Sequence, residues 1–365
     1  MMLHRYFAWR FLLVFSAVFG IFFALFFLLD MVEQIRKFDS DTVGFAQIVQ
    51  LTLLNVPQGI YRILPLIMVL ATLTLFLSLA RSSELVVTRA SGRSAIRFLS
   101  APLVVAFLIG LFAIAVLNPI VAATSKQYEQ LAERHTQSAS SVLSVSGEGL
   151  WLRQGGPEGQ TVIQARRSNL DGTKLFDVSF IGLLPDGRPA YRVAGTEAVL
   201  TPTGWQIKDA KYWPLDGPAN PELVATQHDV YALPSNLTKE QIRDSFGTPA
   251  SIPIWDLARF IGQLEDAGFS ARAHRVWLQM ELALPVMLVA MVLVGAGFTM
   301  RHTRFGRTGL MVLGALGIGF AIYFIRNFAQ ILGDNGQIPA YLAAWSPPIA
   351  AVLLSFGIIL NLEDG

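Results

Sequence analysis

The adjacent cations Arg36 and Lys37 are the residues whose type and spacing best suit binding chemistry. They follow an uncharged run from Phe11 to Leu29, so they stand at the end of a segment long enough to cross a bilayer. Guanidinium and ammonium groups make charge-assisted hydrogen bonds to phosphate oxygens. The pair therefore suits a phosphate-bearing headgroup. The alternative is that it only anchors a helix end at the membrane interface.

Three further ionisable residues, Arg62, Glu281 and Arg326, lie within or at the edges of other apolar segments. A charged side chain at the centre of a bilayer costs about 2.5–3.5 kcal/mol on insertion scales, so each of the three needs an explanation. Their side chains either reach the interface from near the outer helix ends or face a polar cavity between helices. The sequence leaves both explanations open.

Residue patterns of common catalytic centres are absent from the sequence. It contains no Gly-x-x-x-x-Gly-Lys-Ser/Thr loop, no His-Glu-x-x-His pair and no Gly-x-Ser-x-Gly turn, so ATP hydrolysis, zinc chemistry and serine hydrolysis are not indicated. It also has no cysteine, which excludes disulfides, thiolate metal sites and cysteine nucleophiles. We predict a non-catalytic chain with no catalytic residue, cofactor or metal of its own.

Composition and hydropathy predict a membrane protein. Of the 365 residues, 53% are hydrophobic and 15% charged, with net charge +2 and mean hydropathy +0.49; soluble domains carry about 25% charged residues. The small net charge gives no sign of a nucleic-acid surface. Six apolar segments of spanning length form two sets of three, at 7–29, 51–80, 98–121, 276–300, 308–325 and 338–362.

The distribution of basic residues orients these six segments. The loop between the second and third has four arginines and one acid, and the loop between the fourth and fifth has three arginines and no acid: Arg81, Arg89, Arg93, Arg97 and Glu84, then Arg301, Arg304 and Arg307. Loops rich in arginine and lysine face the cytoplasm. Both termini are therefore predicted to be cytoplasmic, and the insert at 122–275 lies on the outer side.

The first part of the insert, 141–231, is predicted to be β structure. Trp205 and Ile207 alternate with polar neighbours, which is the period of a half-buried strand. The run Pro-Asp-Gly-Arg at 185–188 predicts a turn between two apolar runs. Several short strands with frequent turns favour a sandwich or a jelly roll.

An amphipathic helix is predicted after the β region. Pro253 suits the first position of a helix and Gly268 its end, and apolar residues recur between them at helical spacing: Ile254, Leu257, Ile261 and Leu264. The apolar face either packs beneath the β region or lies on the membrane surface, and the first arrangement is favoured.

The most specific local pattern is the segment 81–92, Arg-Ser-Ser-Glu-Leu-Val-Val-Thr-Arg-Ala-Ser-Gly. It predicts a short cytoplasmic helix that ends at Gly92. Its small residues suit a groove on another protein, where Glu84 could meet a basic side chain. The alternative is a solvated loop whose arginines only set the topology.

This segment resembles the coupling helix of the LptF/LptG family of lipopolysaccharide export permeases. Residues 83–92 match the pattern Ser-Glu-Leu-Val-Val-x-x-Ala-Ser-Gly, and the layout of three spans, a β-jelly-roll insert and three spans agrees along the whole chain. The second span, with Val56-Pro57 and Leu64-Pro65, also fits. The run Glu-Gln-Ile-Arg-Lys at 33–37 is most similar to the LptG branch.

The resemblance implies a permease subunit of an ABC transporter that extracts lipopolysaccharide from the bacterial inner membrane and passes it to a periplasmic protein bridge toward the outer membrane. The implied partners are an LptF-type permease subunit, an LptB ATPase dimer that binds the ATP, and the bridge proteins LptC and LptA. No nucleic acid is implied.

The resemblance also implies roles for six residues of this chain. Arg36 and Lys37 would bind the lipid phosphates, and Arg62 would supply a charge that the family can carry one turn earlier, where this chain has Gln58. Contact with the ATPase would involve Glu84, Leu85 and Arg89.

The predicted fold class is an α-helical integral membrane protein with six transmembrane helices, three plus three, and an inserted periplasmic all-β jelly-roll-like domain. The predicted domains are 1–121 with the coupling helix 81–92, the β domain 122–252, the connector helix 253–275, and 276–365. Two other functions stay open: a permease of another lipid or lipoprotein ABC exporter, and a membrane sensor with an extracytoplasmic β domain.

Overall fold

The structure is a computed structural model. It describes residues 2–38, 43–82, 84, 95–136, 142–146, 149–156, 159–169, 172–216, 220–235, 237–238, 242, 248–266, 268–299 and 308–363. The chain divides into two compact units. A helical unit contains 1–135, 250–255 and 272–365, and a β unit contains 136–249 and 256–271. The predicted domain boundaries stay predictions, and the third crossing itself continues to Thr136.

Three long apolar crossings form the first half of the helical unit. Helix α1 spans Met2–Lys37 and α2 spans Phe45–Arg81. The third crossing consists of α3 (Ala95–Phe112), a π-helical segment (Ala113–Leu117) and α4 (Asn118–Thr136). A helix satisfies its backbone polar groups internally, which is the condition for crossing hydrocarbon.

The second half of the unit begins with a bent pair, α6 (Arg272–Leu282) and α7 (Leu284–Thr299), whose axes differ by 50°. Pro285 explains the bend, because proline has no N–H to continue the helical hydrogen-bond ladder. Helices α8 (Thr308–Asp334) and α9 (Ala340–Glu363) follow.

The predicted multi-pass helical fold is confirmed by the length and composition of these elements. Within the described ranges, five helices are long and apolar enough to cross a membrane, and the bent pair raises the number to six if it is one crossing.

The core of the helical unit centres on α2 and α7. Ile67, Met68 and Phe76 of α2 and Met291 of α7 are buried in one cluster. Helix α3 approaches α7 so closely that a Cβ atom at Gly110 would lie 2.5 Å from Pro285 Cα. Glycine is therefore required where these two helices meet.

Seven antiparallel strands form the sheet of the β unit, and they lie side by side in chain order. The all-β insert that the sequence predicts is confirmed. The strands are β1 (Val142–Ser146), β2 (Gly149–Gly156), β3 (Gly159–Ser168), β4 (Lys174–Leu183), β5 (Pro189–Thr201), β6 (Gly204–Pro214) and β7 (Thr226–Pro234).

In strands β4 and β6 the alternation of inward-facing and outward-facing side chains shifts by one residue partway along the strand. In β6 the buried residues are Trp205 and Ile207, then Ala210, and Asp209 between them has φ 49°. In β4 the same change occurs at Asp177, with φ 52°. A residue in the left-handed region reverses which side chains face one side of a strand, so the apolar face continues across these strands.

Helix α5 (Ile254–Asp266) is the predicted amphipathic helix. Its four predicted apolar positions are all buried: Ile254, Leu257, Ile261 and Leu264. Gly268 follows with φ 89°, and a Cβ atom there would lie 2.0 Å from the Ser168 carbonyl oxygen of β3. From Asp256 onward the helix groups with the β unit, which agrees with packing beneath the sheet.

Candidate functional site

The predicted phosphate-binding pair Arg36 and Lys37 forms the last two residues of α1. The Lys37 ammonium donates to Tyr128 Oη of α4 at 3.3 Å and lies 5.6 Å from that ring's centroid. It is also 5.5 Å from the Phe38 ring centroid. Among the described residues Lys37 forms no salt bridge, and its direct contacts are to aromatic residues, although Asp30 interacts with it electrostatically. Arg36 is exposed.

A polar network beneath this pair fixes the end of α1. Gln34 is 1% exposed, and its Nε2 donates to Tyr128 Oη at 3.1 Å. One turn earlier, Asn55 Nδ2 of α2 donates to Asp30 Oδ1 at 2.6 Å. These contacts join α1 to α2 and α4, so the two terminal cations have a rigid base.

Arg62, the third predicted phosphate ligand, lines a cavity of about 280 Å³ among α2, the α6–α7 bend and α8. Glu281 and Arg326 line the same cavity. The structure therefore favours the polar-cavity explanation for these three charges over the one in which each side chain only reaches the interface. No sequence pattern could have paired them, because they come from three separate crossings.

Glu281 is the buried acid of this group, at 2% exposure. Tyr61 Oη donates a short hydrogen bond to Glu281 Oε2. Asn118, the residue after the π-helical segment, lies near both Tyr61 and Glu281, while its Oδ1 accepts from the Ile254 N–H at 2.9 Å. A π-helical segment often marks a functional site, and here it places Asn118 against a buried carboxylate.

Glu84, the predicted ATPase contact, is bound within the chain by Arg10 of α1. Arg10 Nη1 donates to both carboxylate oxygens of Glu84, at 2.7 and 2.8 Å. Tyr6 Oη donates to Oε2 at 3.2 Å, and Ser82 Oγ donates to Oε1 at 2.9 Å. No sequence pattern pairs Arg10 with Glu84, although the i, i+4 spacing of Tyr6 and Arg10 indicates that both face one side of α1.

The hydrogen bond from Arg10 holds the pKa of the Glu84 carboxyl below its usual value of 4.5, and the Ser82 hydroxyl acts in the same direction. The two side chains are 27% and 34% exposed. Such partly exposed ion pairs contribute about 0.2–1 kcal/mol. Little free energy is therefore needed to separate this pair.

Leu85 and Arg89, the other two predicted ATPase contacts, lie outside the described residues, as does most of the segment 81–92. Their roles stay predictions. Within the ranges that the structure describes, no three His, Cys, Asp or Glu side chains lie close enough to hold a metal ion.

Three tyrosines form a ladder on the inner face of the sheet. Tyr191 of β5 stacks on Tyr212 of β6 with 6.0 Å between ring centroids, and Tyr212 stacks on Tyr231 of β7 at 5.5 Å. Burial raises the pKa of the Tyr212 and Tyr231 hydroxyls. Gly182 of β4 leaves the space for Tyr191, since a Cβ atom there would lie 2.2 Å from that ring. The ladder is a half-buried aromatic surface that suits apolar chains.

Comparison with known proteins gives one family and several relatives. The family described as "Lipopolysaccharide export system permease LptF/LptG" matches residues 5–361. The LptG protein of the lipopolysaccharide export system of Haemophilus influenzae is 22% identical over 359 residues, which cover 92% of each chain. The corresponding LptG protein of Escherichia coli K12 is 23% identical over 340 residues, covering 92% of this chain and 91% of its own.

Proposed function

Because this chain belongs to the LptF/LptG family of lipopolysaccharide export system permeases, we propose that it is the membrane subunit that lifts lipopolysaccharide out of the bacterial inner membrane. One observation carries the proposal: Arg36, Lys37 and Arg62 form no salt bridge to a described carboxylate, although all three belong to membrane-spanning helices. Unpaired cations at such positions suit a ligand that brings its own negative charge.

Phosphate recognition follows from the chemistry of these three side chains. Arg36 and Arg62 offer planar forks that bind phosphate bidentately, whereas Lys37 offers a compact point charge. Tyr128 orients Lys37 from below, so less side-chain freedom is lost when the phosphate binds. The exposed apolar residues of α1 and α8, such as Leu25 and Phe324, would contact the acyl chains.

The β unit would receive the lipid after extraction. Its inner face combines the tyrosine ladder with a fully buried core around Trp205, and stacked aromatic rings bury large apolar area. Strands β1 and β7 lie at the two edges of the sheet. An open edge is a surface for pairing with another β domain, which suits a bridge built from LptF, LptC and LptA domains.

Energy would enter through the cytoplasmic segment 81–92. This chain would bind no nucleotide itself, and an LptB dimer would hydrolyse the ATP. Glu84 would exchange Arg10 for a basic side chain of the ATPase, assisted by Leu85 and Arg89. Helix α2 runs directly from this segment to Arg62 and the cavity, so a movement at Glu84 would change the lipid site. A difference in lipid affinity between two states is what drives transport.

A pull-down from solubilised membranes tests this function. The full-length tagged chain is purified in mild detergent, and mass spectrometry identifies the bound proteins and lipid. We expect an LptF-type subunit, an ATPase and lipopolysaccharide. Arg259→Gln, at an exposed cation of α5 that pairs with Asp256, serves as the control and should recover the same set. A chain that is recovered alone, without an ATPase or glycolipid, would contradict the proposal.

A further inference from the structure

The cavity among α2, the α6–α7 bend and α8 has polar walls of both charges. Arg62 comes from α2 and Trp277 from α6, while Arg326, Gln330 and Asp334 follow one another along α8. Its volume of about 280 Å³ lies close to the lower end of the range for small-molecule sites. It is large enough for a headgroup, and it is bounded by residues of membrane-spanning helices.

The two guanidinium groups of the cavity are available to a ligand. Neither Arg62 nor Arg326 makes a salt bridge or hydrogen bond to a described residue. Neither arginine forms a salt bridge with Glu281, although the Arg326 guanidinium lies close enough to the Glu281 carboxylate to interact with it electrostatically. Two guanidiniums in one cavity suit a phosphate, since each can donate two parallel hydrogen bonds.

Two further polar atoms in the same cavity lack a partner within the described part of the chain. Asp334 Oδ1, an acceptor, and Trp277 Nε1, a donor, are both buried without a hydrogen bond. Buried polar groups are normally satisfied. An anionic ligand alone would satisfy Trp277 and the arginines but would leave the carboxylate of Asp334 unpaired.

These opposite demands define the ligand. Arg326 and Asp334 are eight residues apart on α8, which corresponds to about 12 Å of rise. We propose that this cavity binds a phosphate that carries a primary amine, with the phosphate between Arg62 and Arg326 and the ammonium on Asp334. The inference deepens the proposed function. It depends on that function only if the amine belongs to the exported glycolipid.

Phospholipids of the bilayer and the exported glycolipid are both possible sources of this group. In phosphatidylethanolamine the amine donates hydrogen bonds, whereas the quaternary nitrogen of phosphatidylcholine cannot. The two lipids therefore separate recognition of the amine from recognition of the phosphate. Lipopolysaccharide with and without phosphoethanolamine on its phosphates makes the same distinction for the glycolipid.

Photocrosslinking of the full-length protein tests the inference. A benzoylphenylalanine replaces Ile331, an exposed residue at the cavity, in nanodiscs that contain equal amounts of the two phospholipids. The same label at Leu313, exposed on the same helix but outside the cavity, reports the bulk lipid. We expect phosphatidylethanolamine to be favoured about fivefold at 331, because both lipids carry a positive nitrogen and differ by one hydrogen bond of about 1 kcal/mol, with no preference at 313.

Two variants identify the groups responsible. Asp334→Leu should bring the preference at 331 to about one while phospholipid crosslinking continues, because only the acceptor of the ammonium hydrogen bond is lost. The double variant Arg62→Gln and Arg326→Gln should lower crosslinking of both lipids. A ratio of one at 331 in the unaltered protein would overturn the inference, since the cavity would then hold water or unselected lipid.

Lipopolysaccharide separates this inference from the proposed function. A second label at Ile35, next to Arg36, reports glycolipid binding at the end of α1. Suppose that the glycolipid crosslinks at 35, that crosslinking at 331 does not depend on phosphoethanolamine, and that the phospholipid ratio at 331 is one. These results would reject the cavity inference and leave the export function standing. A phosphatidylethanolamine preference at 331 without glycolipid at either label would support the cavity and reject the export function.

Discussion

The two ends of α1 carry the same kind of charge but differ in how it is satisfied. At the Glu84 end, Arg10 binds Glu84 with both oxygens within 2.8 Å, and Tyr6 adds a third contact. At the other end, the direct contacts of Lys37 within the described ranges are to aromatic rings and the Tyr128 hydroxyl, and it forms no salt bridge there. A paired charge contributes to structure, whereas a cation without a counter-ion suits binding of an anion. The two ends of one helix therefore differ in charge pairing, and the proposed division between coupling and ligand binding rests on this difference.

Removal of both unpaired cations should have the largest effect. In Arg36→Gln with Lys37→Gln, two hydrogen bonds to charged groups are lost, each about 1.5–3 kcal/mol, so retained lipopolysaccharide should fall about tenfold or more. The measurement is quantitative mass spectrometry of lipid bound to the purified protein. Arg10→Gln, at the paired end, should retain its lipid. Equal loss in both variants would show that the two ends do not differ.

Tyr61 and Glu281 extend the comparison of paired and unpaired charges to a buried carboxylate that accepts a hydrogen bond. Tyr61→Phe leaves the carboxylate of Glu281 with one donor fewer, which should lower the free energy of unfolding by about 1–3 kcal/mol. Denaturant titration in detergent measures the change. Tyr341→Phe, at an exposed tyrosine, should change stability little. Equal stability of the two variants would mean that the Tyr61 hydroxyl does not support Glu281.

Substitutions at the paired end should affect coupling rather than lipid binding. Glu84→Gln removes both the Arg10 contact and the proposed ATPase contact, so lipid-stimulated ATP hydrolysis by the purified complex should fall about fivefold. Arg10→Gln removes only the intramolecular pair, worth about 0.2–1 kcal/mol, and should reduce hydrolysis about twofold. If the two variants lose the same activity, Glu84 acts only through Arg10.

Lowering the pH should weaken the contact between Arg10 and Glu84, and this should be the smallest of the predicted effects. The pKa of Glu84 is lowered in the folded protein, first by Arg10. Its contribution to stability is therefore present above its ordinary pKa of 4.5 and is lost as the pH falls through the lower folded value. A spin label at Arg81→Cys, which is the only cysteine in that variant, should gain mobility as the pH falls below 4.5 and through the lower folded pKa of Glu84. In the Arg10→Gln background the mobility of the label should already be raised at pH 7. Equal mobility at pH 7 with Arg10 and with Gln at position 10 would contradict the role of the Arg10–Glu84 pair.

Elements with a strong local pattern were predictable from the sequence. The helix from Ile254 was predicted with its four buried positions and with Gly268 at its end, because apolar spacing and the φ of glycine are local properties. Alternation at Trp205 and Ile207 likewise identified a strand. The change of inward parity at Asp177 and Asp209 was not predictable, because no residue pattern requires a left-handed aspartate there.

The candidate site was only partly predictable. Arg36, Lys37 and Arg62 were identified as cations in apolar surroundings, but the partner of Glu84 was missed because Arg10 is 74 residues away in the chain. The contact of Tyr61 with Glu281 joins residues 220 apart. The π-helical segment that places Asn118 beside them also has no clear sequence signature.

The sequence by itself determined the class of the protein, the apolar segments long enough to cross a membrane, the β insert and the family, because each depends on hydrophobic length, on period or on a continuous motif. Only the tertiary structure decided which charged side chains form salt bridges and which do not. A side chain's partner depends on how distant crossings pack, and the same arginine is a structural group beside a carboxylate or a ligand-binding group without one.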